Sequence, residues 1–156
     1  MMSGKINHRN GQRRGKKIRI IVIIGLIFFM AGCAQPETDL QFVRRVFNGL
    51  CSGERRVESS IDWENFRAMG IDVGQDYARL ATEKERRDYR KLFLNGFTYT
   101  FKVSGIRASV FTNWRAQSTD VNNAIMAADT PSGKVLLFVI SYKDIERKLV
   151  AINWRE

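Results

Sequence analysis

Apolar residues recur every three or four positions through the first half of the chain, after an apolar run at residues 20–32. This period is typical of amphipathic helices, whose apolar faces pack on a shared core. The period identifies four segments, of which the third is short. These predicted helical segments are 38–53, 59–70, 72–80 and 82–97.

Residues with capping propensity mark the ends of these segments. Thr38 precedes the first segment and Gly53 follows it, as an N-cap and a stop signal do. Ser60 or Asp62 can cap the second segment. Thr82 opens a T-x-x-E capping box for the fourth. Local sequence therefore predicts where the helices begin.

The period changes from 3.6 to 2 at residue 98. Tyr99, Phe101 and Val103 alternate with polar residues, which predicts a half-buried strand. The sequence TPSG at 130–133 predicts a tight turn that joins its flanking strands as a hairpin. Further strands are predicted at 108–117, 121–129, 134–142 and 147–154. This order predicts an α+β domain, with three N-terminal helices packed on one face of a curved antiparallel sheet of four to five strands.

The positive charge of the chain is concentrated in its first 32 residues. Of the formal charge of +10, residues 1–32 contribute +7 and the remainder +3. A cationic stretch, a 13-residue apolar run and small residues at its end form the pattern of a signal peptide. The run is short for a transmembrane helix, which needs about 20 residues. With the leader set aside, the sequence gives no support for nucleic-acid binding.

A lipid-attachment motif follows the apolar run. Met30-Ala31-Gly32-Cys33 resembles a bacterial lipobox. The resemblance implies cleavage between Gly32 and Cys33, lipidation of Cys33, a cleaved signal peptide at 1–32, a tether at 33–38 and a single α+β domain at 39–156. Ala34 in place of aspartate favours the outer membrane, with the domain facing the periplasm of a bacterial envelope. A plain signal peptide, or an uncleaved anchor with an incidental cysteine, is the alternative.

Few residues of the predicted mature chain suit catalysis or metal binding. His8 lies in the leader, so cleavage leaves no histidine for a triad or a zinc site. Cys51 then has no disulfide partner and is interpreted as a small buried hydrophobe. We expect no metal and no cofactor. In the charged stretch EKERRDYRK (83–91), acids and bases alternate at helical spacing, which favours a salt-bridged surface over a basic face for lipid headgroups.

Residues 61–97 contain an acid-aromatic pair, glycines, an aromatic and an aromatic-rich helix. The residues concerned are Asp62-Trp63, Gly70 or Gly74, Tyr77, Ala81-Thr82, Arg86 and Phe93. The stretch is similar to the helical part of the periplasmic phospholipid carriers of the Mla and toluene-tolerance type, and three helices ahead of a curved sheet resemble the NTF2-like, or cystatin-like, superfamily. The resemblance implies an apolar ligand cavity. The candidate lining residues, which would equally form a dry core, are Phe66, Tyr77, Phe93, Phe101, Phe138 and Ile140.

Three functions follow from these patterns. The first is a non-enzymatic, membrane-anchored envelope lipoprotein that binds an apolar ligand or an envelope protein partner through an NTF2-like domain. The second is an Mla-type phospholipid-binding or transport component. The third is a small isomerase or dehydratase, which needs a carboxylate base opposite a hydroxyl donor. The candidate bases are Asp62 and Asp129, and the candidate donors are Tyr77, Tyr89 and Tyr99.

Overall fold

Helices precede a meandering sheet in the folded part of the chain, as the sequence predicts. The computed structural model describes residues 36–143 and 146–155, and Glu37–Glu156 forms one compact unit. The α-helices described are α1 (Asp39–Ser52), α2 (Val73–Ala78) and α3 (Glu83–Ser104). The strands described are β1 (Arg67–Ala68), β2 (Ile71–Asp72), β3 (Thr112–Thr119), β4 (Asn123–Asp129), β5 (Val135–Lys143) and β6 (Glu146–Trp154). The lipobox and the leader lie outside the described residues.

Capping boxes begin both long helices. At α1, the hydroxyl of Thr38 accepts a hydrogen bond from the backbone N–H of Gln41, whose side chain accepts one in return from the N–H of Thr38. Thr82 and Glu85 form the same pair at α3. Each pair satisfies two N–H groups that the first turn leaves free. Gly53 ends α1 in the left-handed conformation, at φ +78°. The predicted boundaries of α1 and the predicted start of α3 are confirmed.

The predicted helix at 59–70 is wrong. The chain forms a 3₁₀ turn at Arg55–Ser60 and then the short hairpin β1–β2, whose two-residue loop is Met69 and Gly70. Both loop residues have positive φ, +50° and +88°, as a type I′ turn requires. The backbone N–H of Met69 donates to the carbonyl of Ile152 in β6 at 2.7 Å. Pairing with a strand that is distant in sequence thus takes the hydrogen bonds that a helix would have made internally.

The predicted strand at 98–103 is also wrong, because α3 continues to Ser104. Leu94, Thr98 and Phe101 recur at helical spacing and are buried. Tyr99 and Val103, which the alternation placed on the buried face of a strand, are 68% and 67% exposed. Burial of the helical face therefore overrides the local alternation.

The sheet is mixed, with the strand order β2-β1-β6-β5-β4-β3. Strands β3 to β6 form the predicted antiparallel meander, and the turn at 130–133 joins β4 to β5. In that turn the N–H of Gly133 donates to the carbonyl of Thr130 at 3.0 Å. Strand β1 runs parallel to β6, a pairing that the sequence does not predict. The α+β class is confirmed, and the described sheet has six strands instead of four or five.

Phe47 of α1 lies at the centre of the core. Its ring contacts Phe101 of α3, Phe138 of β5, Phe111 and Trp114, with ring centroids 4.9–6.0 Å apart. The ring is fully buried, and burial on this scale contributes about 2–3 kcal/mol to the free energy of unfolding. Helix α1 packs on β3, β4 and β5 and, beside them, on α3. None of the helices described is long and apolar enough to cross a bilayer.

Gly74 permits a close approach between α2 and the turn that precedes β1. A Cβ atom at Gly74 would overlap the backbone carbonyl of Glu64. The N–H of Gly74 donates to the carbonyl of Phe66 at 2.9 Å, which fixes this distance. Backbone on both sides of the contact leaves no flexible side chain to move aside.

Replacing Gly74 with alanine is expected to lower the free energy of unfolding by about 2 kcal/mol or more, because the methyl group would overlap backbone atoms. Denaturation with guanidinium, followed by tryptophan fluorescence, measures the change. The matched control is Gly96→Ala, within α3, where a Cβ would meet no atom within 4 Å. That variant should gain about 0.5–1 kcal/mol. Equal stability of Gly74→Ala and the unaltered chain would contradict the packing argument.

Candidate functional site

The six residues proposed to line a ligand cavity lie in one hydrophobic cluster. Phe66, Phe138 and Ile140 are fully buried, and Phe93 is partly buried at the edge of the cluster. The ring of Phe93 meets that of Phe66 edge to face at 5.6 Å. Ring contacts, some edge to face and others tilted or stacked, connect the cluster from Trp63 to Phe138. The structure therefore brings the six residues together, and their role as a ligand lining stays a prediction.

A surface pocket opens where the C-terminal ends of α1 and α3 meet. Its volume is about 440 Å³, and it is open to solvent. Of the six candidate lining residues, Phe101 borders this pocket. The pocket is lined by Asn48, Cys51, Ser52, Phe101, Lys102, Gly105, Ile106, Arg107 and Ala108.

Two local features place the walls of this pocket. The hydroxyl of Thr98 donates to the carbonyl of Leu50 at 2.9 Å and so ties the end of α1 to α3. Gly105 ends α3 with φ +68°, a conformation that favours glycine. A second 3₁₀ turn follows at Ala108–Val110, and Phe111 after it packs against Phe47. The end of α3 and residues 106–108 thus both line the pocket, together with the end of α1.

The pocket combines an apolar floor with cations at its rim. Phe101 is 8% exposed and Ile106 is 41% exposed. Lys102 and Arg107 are exposed beside them. This arrangement suits a ligand with an apolar body and an acidic end, because the body is buried while the acid meets a guanidinium or an ammonium group. Sequence reasoning missed Ile106 and Arg107, since the helix was expected to end before them and no periodicity covers the reversal.

Cys51 is half-buried in the pocket wall and packs against the core. Burial raises the pKa of its thiol to about 12. The thiolate is the nucleophilic form, so at neutral pH this cysteine is a poor nucleophile. Its interpretation as a small hydrophobe agrees with this environment.

Arg90 organises the charged stretch at 83–91. Its guanidinium donates to Glu58 at 2.5 Å, to Glu83 at 2.9 Å and to the hydroxyl of Tyr77 at 2.5 Å. Burial alone would lower the pKa of Arg90, but these hydrogen bonds raise it overall. Only 16% of the side chain is exposed. Arg90 therefore joins α3 to the 3₁₀ turn at Arg55–Ser60 and to α2, and for this residue the salt-bridged interpretation holds.

The candidate base Asp129 lies in an environment that favours its charged form. The side chains of Asn113 and Arg115 donate to its carboxylate at 3.0 Å and 2.8 Å. These hydrogen bonds, that of Asn113 first, lower the pKa of Asp129. A general base at neutral pH needs the opposite shift. The site around Asp129 is therefore an ion pair at the end of β4.

Asp62, the other candidate base, lies in the turn before β1. Its carboxylate accepts a hydrogen bond from the side chain of Asn65 at 3.0 Å. It borders a separate surface pocket of about 650 Å³ with Arg67 and Asp72. Among residues 36–143 and 146–155, no hydrogen bond joins Asp62 or Asp129 to a candidate tyrosine donor, and no group of three potential ligands could hold a metal ion.

Cys51 should react slowly with iodoacetamide in the folded protein. With its pKa near 12, the thiolate fraction at pH 8 is about a thousandfold below that of a free cysteine. A Cys33→Ser variant isolates this thiol, and mass spectrometry follows its alkylation with pH. The same variant unfolded in guanidinium is the control and should react at the ordinary rate. Equal rates in the folded and unfolded states would contradict the burial argument.

Comparison with known proteins leaves the family open. No family model and no curated protein matches the chain. Among solved structures, a protein from Xanthomonas campestris described as a calcium/calmodulin dependent protein kinase II association domain is similar at a TM-score of 0.39. The two sequences are 12% identical, and the match covers 78% of this chain and 91% of the other.

Proposed function

We propose that the protein is a non-enzymatic lipoprotein of the bacterial envelope, with an NTF2-like domain that binds an apolar ligand with an acidic end. The observation that carries the proposal is the pocket at the ends of α1 and α3. It places Phe101 and Ile106 beside Lys102 and Arg107 in a volume of about 440 Å³. The NTF2-like assignment draws support from helices that precede an antiparallel meander on whose face α1 packs.

The lipobox supplies the membrane anchor of the proposal. Cys33 would carry the lipid and would become the first residue of the mature chain. Helix α1 begins at Asp39, and the residues between them span at most about 20 Å when fully extended. The domain would therefore stay close to the bilayer surface, facing the periplasm. Ala34 favours the outer membrane over the inner membrane.

The cations of the pocket also fit the headgroup of a phospholipid, which is the alternative ligand. A phosphate group and a carboxylate both accept hydrogen bonds from guanidinium and ammonium groups. A fatty acid and a phospholipid therefore share the chemistry that Lys102 and Arg107 offer. A tethered protein would receive or pass on such a ligand at one membrane, whereas a soluble carrier diffuses between two membranes.

Intact-mass spectrometry of the full-length protein from bacterial membranes tests the anchor. We expect a mature chain that begins at Cys33 and carries acyl chains, because the lipobox directs both steps. A Cys33→Ser variant should lose both the cleavage and the added mass. Recovery of the unprocessed chain as the membrane-bound form would refute the lipoprotein proposal.

Displacement of a dansyl-labelled fatty acid by decanoic acid tests the pocket. We expect Arg107→Glu to weaken decanoic acid binding about five- to tenfold, because the carboxylate loses a cation and meets a like charge. Decanol, which has the same chain length without the charge, should bind both forms alike. Lys134→Glu makes the same charge change in the turn between β4 and β5 and should have no effect. Organic extraction of the purified protein then shows whether a fatty acid or a phospholipid occupies the site in the cell.

Failure of the probe to bind the unaltered protein would exclude the pocket as an amphiphile site. Equal weakening by Arg107→Glu and Lys134→Glu would mean that the acid responds to net charge instead of to this pocket. In either case, intact-mass spectrometry still tests independently whether Cys33 carries a lipid anchor.

A further inference from the structure

Helix α3 has a second apolar face, opposite to the face that it buries. Leu92, Tyr99 and Val103 are 71%, 68% and 67% exposed. With 3.6 residues per turn, these side chains and Gly96 project within about 60° of one another. The four residues are named here the outer stripe of α3. An apolar patch that is bordered by charged residues can mark a contact with a protein or a membrane.

Gly96 leaves open space in the middle of the outer stripe. A Cβ at this position would meet no atom within 4 Å. Glycine within a helix costs about 1 kcal/mol relative to alanine. Because Gly96 has no side chain, the surface between Leu92 and Tyr99 is recessed, and an opposing surface can approach the backbone there.

Lysines border the outer stripe along one side. Lys91 and Lys102 lie about 80–100° around the helix from Leu92, on the same side. Lys84 continues this row about 12 Å before Leu92. All three are exposed, and Asp88 is the acid among them. Glu85 is engaged in the capping box with Thr82. Lysines can extend their ammonium groups towards lipid phosphates while their stems lie on the apolar surface.

The size of the outer stripe argues against a second copy of the chain as its partner. The outer stripe runs about 17 Å along the helix and is about 10 Å wide. Its area is therefore about 170 Å², whereas a stable interface buries roughly 800 Å² on each partner. A bilayer has no such minimum, because a few apolar side chains and nearby cations suffice for reversible binding.

We propose that the outer stripe of α3 lies on an anionic phospholipid bilayer, with Leu92, Tyr99 and Val103 in the interfacial region and the bordering lysines on lipid phosphates. This contact shares Lys102 with the rim of the ligand pocket, but it requires neither a bound ligand nor lipidation at Cys33. Together with a lipid anchor, it would fix the orientation of the domain on the membrane.

Vesicle co-sedimentation of residues 34–156 tests this contact without the leader or the anchor. This chain contains the whole compact unit Glu37–Glu156 with its core. We expect binding to vesicles of phosphatidylcholine with phosphatidylglycerol, weaker binding to phosphatidylcholine alone, and a decrease with added salt. A triple variant with serine at Leu92, Tyr99 and Val103 should lose binding about tenfold or more.

Matched variants separate the outer stripe from general effects. Ile71→Ser and Val121→Ser remove apolar side chains that are 60% and 89% exposed elsewhere, and they should leave vesicle binding unchanged. Lys84→Glu with Lys91→Glu should abolish the preference for anionic vesicles. None of these positions lies in the pocket, and circular dichroism with thermal unfolding shows that each variant is folded.

Absence of vesicle binding by the unaltered chain would overturn the proposal, as would equal losses from the stripe variant and the Ile71 or Val121 variants. Light scattering during size-exclusion chromatography tests whether a second copy of the chain covers the outer stripe instead. A concentration-dependent dimer that the triple serine variant abolishes, with vesicle binding unchanged, would assign the outer stripe to a second copy instead. The fatty-acid measurement is unaffected by either result, so failure here leaves the proposed pocket standing.

Discussion

Burial of the Phe47 ring is the contact on which the arrangement of the domain depends. Helix α1 meets the sheet and α3 at this residue, through Phe138 on one side and Phe101 on the other. Phe111, which directly follows the 3₁₀ turn Ala108–Val110, packs on the same ring. One side chain thus sets the position of two helices relative to the sheet, and with it the meeting point of the α1 and α3 ends where the pocket opens.

Helix α3 connects the two proposed binding surfaces. Its inner face supplies Leu94, Thr98 and Phe101 to the core, and the last of these also forms the floor of the pocket. The opposite face is apolar yet exposed. The helix therefore buries one apolar face in the core, while its second apolar face remains exposed and is available for a partner. The two proposed surfaces meet at Lys102, which borders the exposed face of α3 and lines the pocket.

Local chemistry determined much of the fold in advance. The capping boxes at Thr38 and Thr82, the stop at Gly53 and the turn at 130–133 each depend on residues within four positions of one another. Interactions of this range are readable in a sequence because the same residues adopt the same local geometry in many folds. The β3–β6 meander follows for the same reason, since its strands are adjacent in sequence.

Tertiary structure decided the conformation of the segments whose partners are distant in sequence. Residues 59–70 have a helical pattern, but Ile61, Arg67 and Ala68 pair with β6, about 80 residues later, because that strand offers hydrogen bonds at the edge of the meander. Residues 98–103 alternate like a strand but remain helical, because Thr98 and Phe101 are buried against α1. The pocket combines the end of one helix with a reversal after another. Hydrophobic periodicity does not register contacts of this kind. Local sequence therefore determined the helix caps, the tight turn and the meander, while packing decided the conformation of residues 59–70 and 98–103 and the surfaces that the elements share.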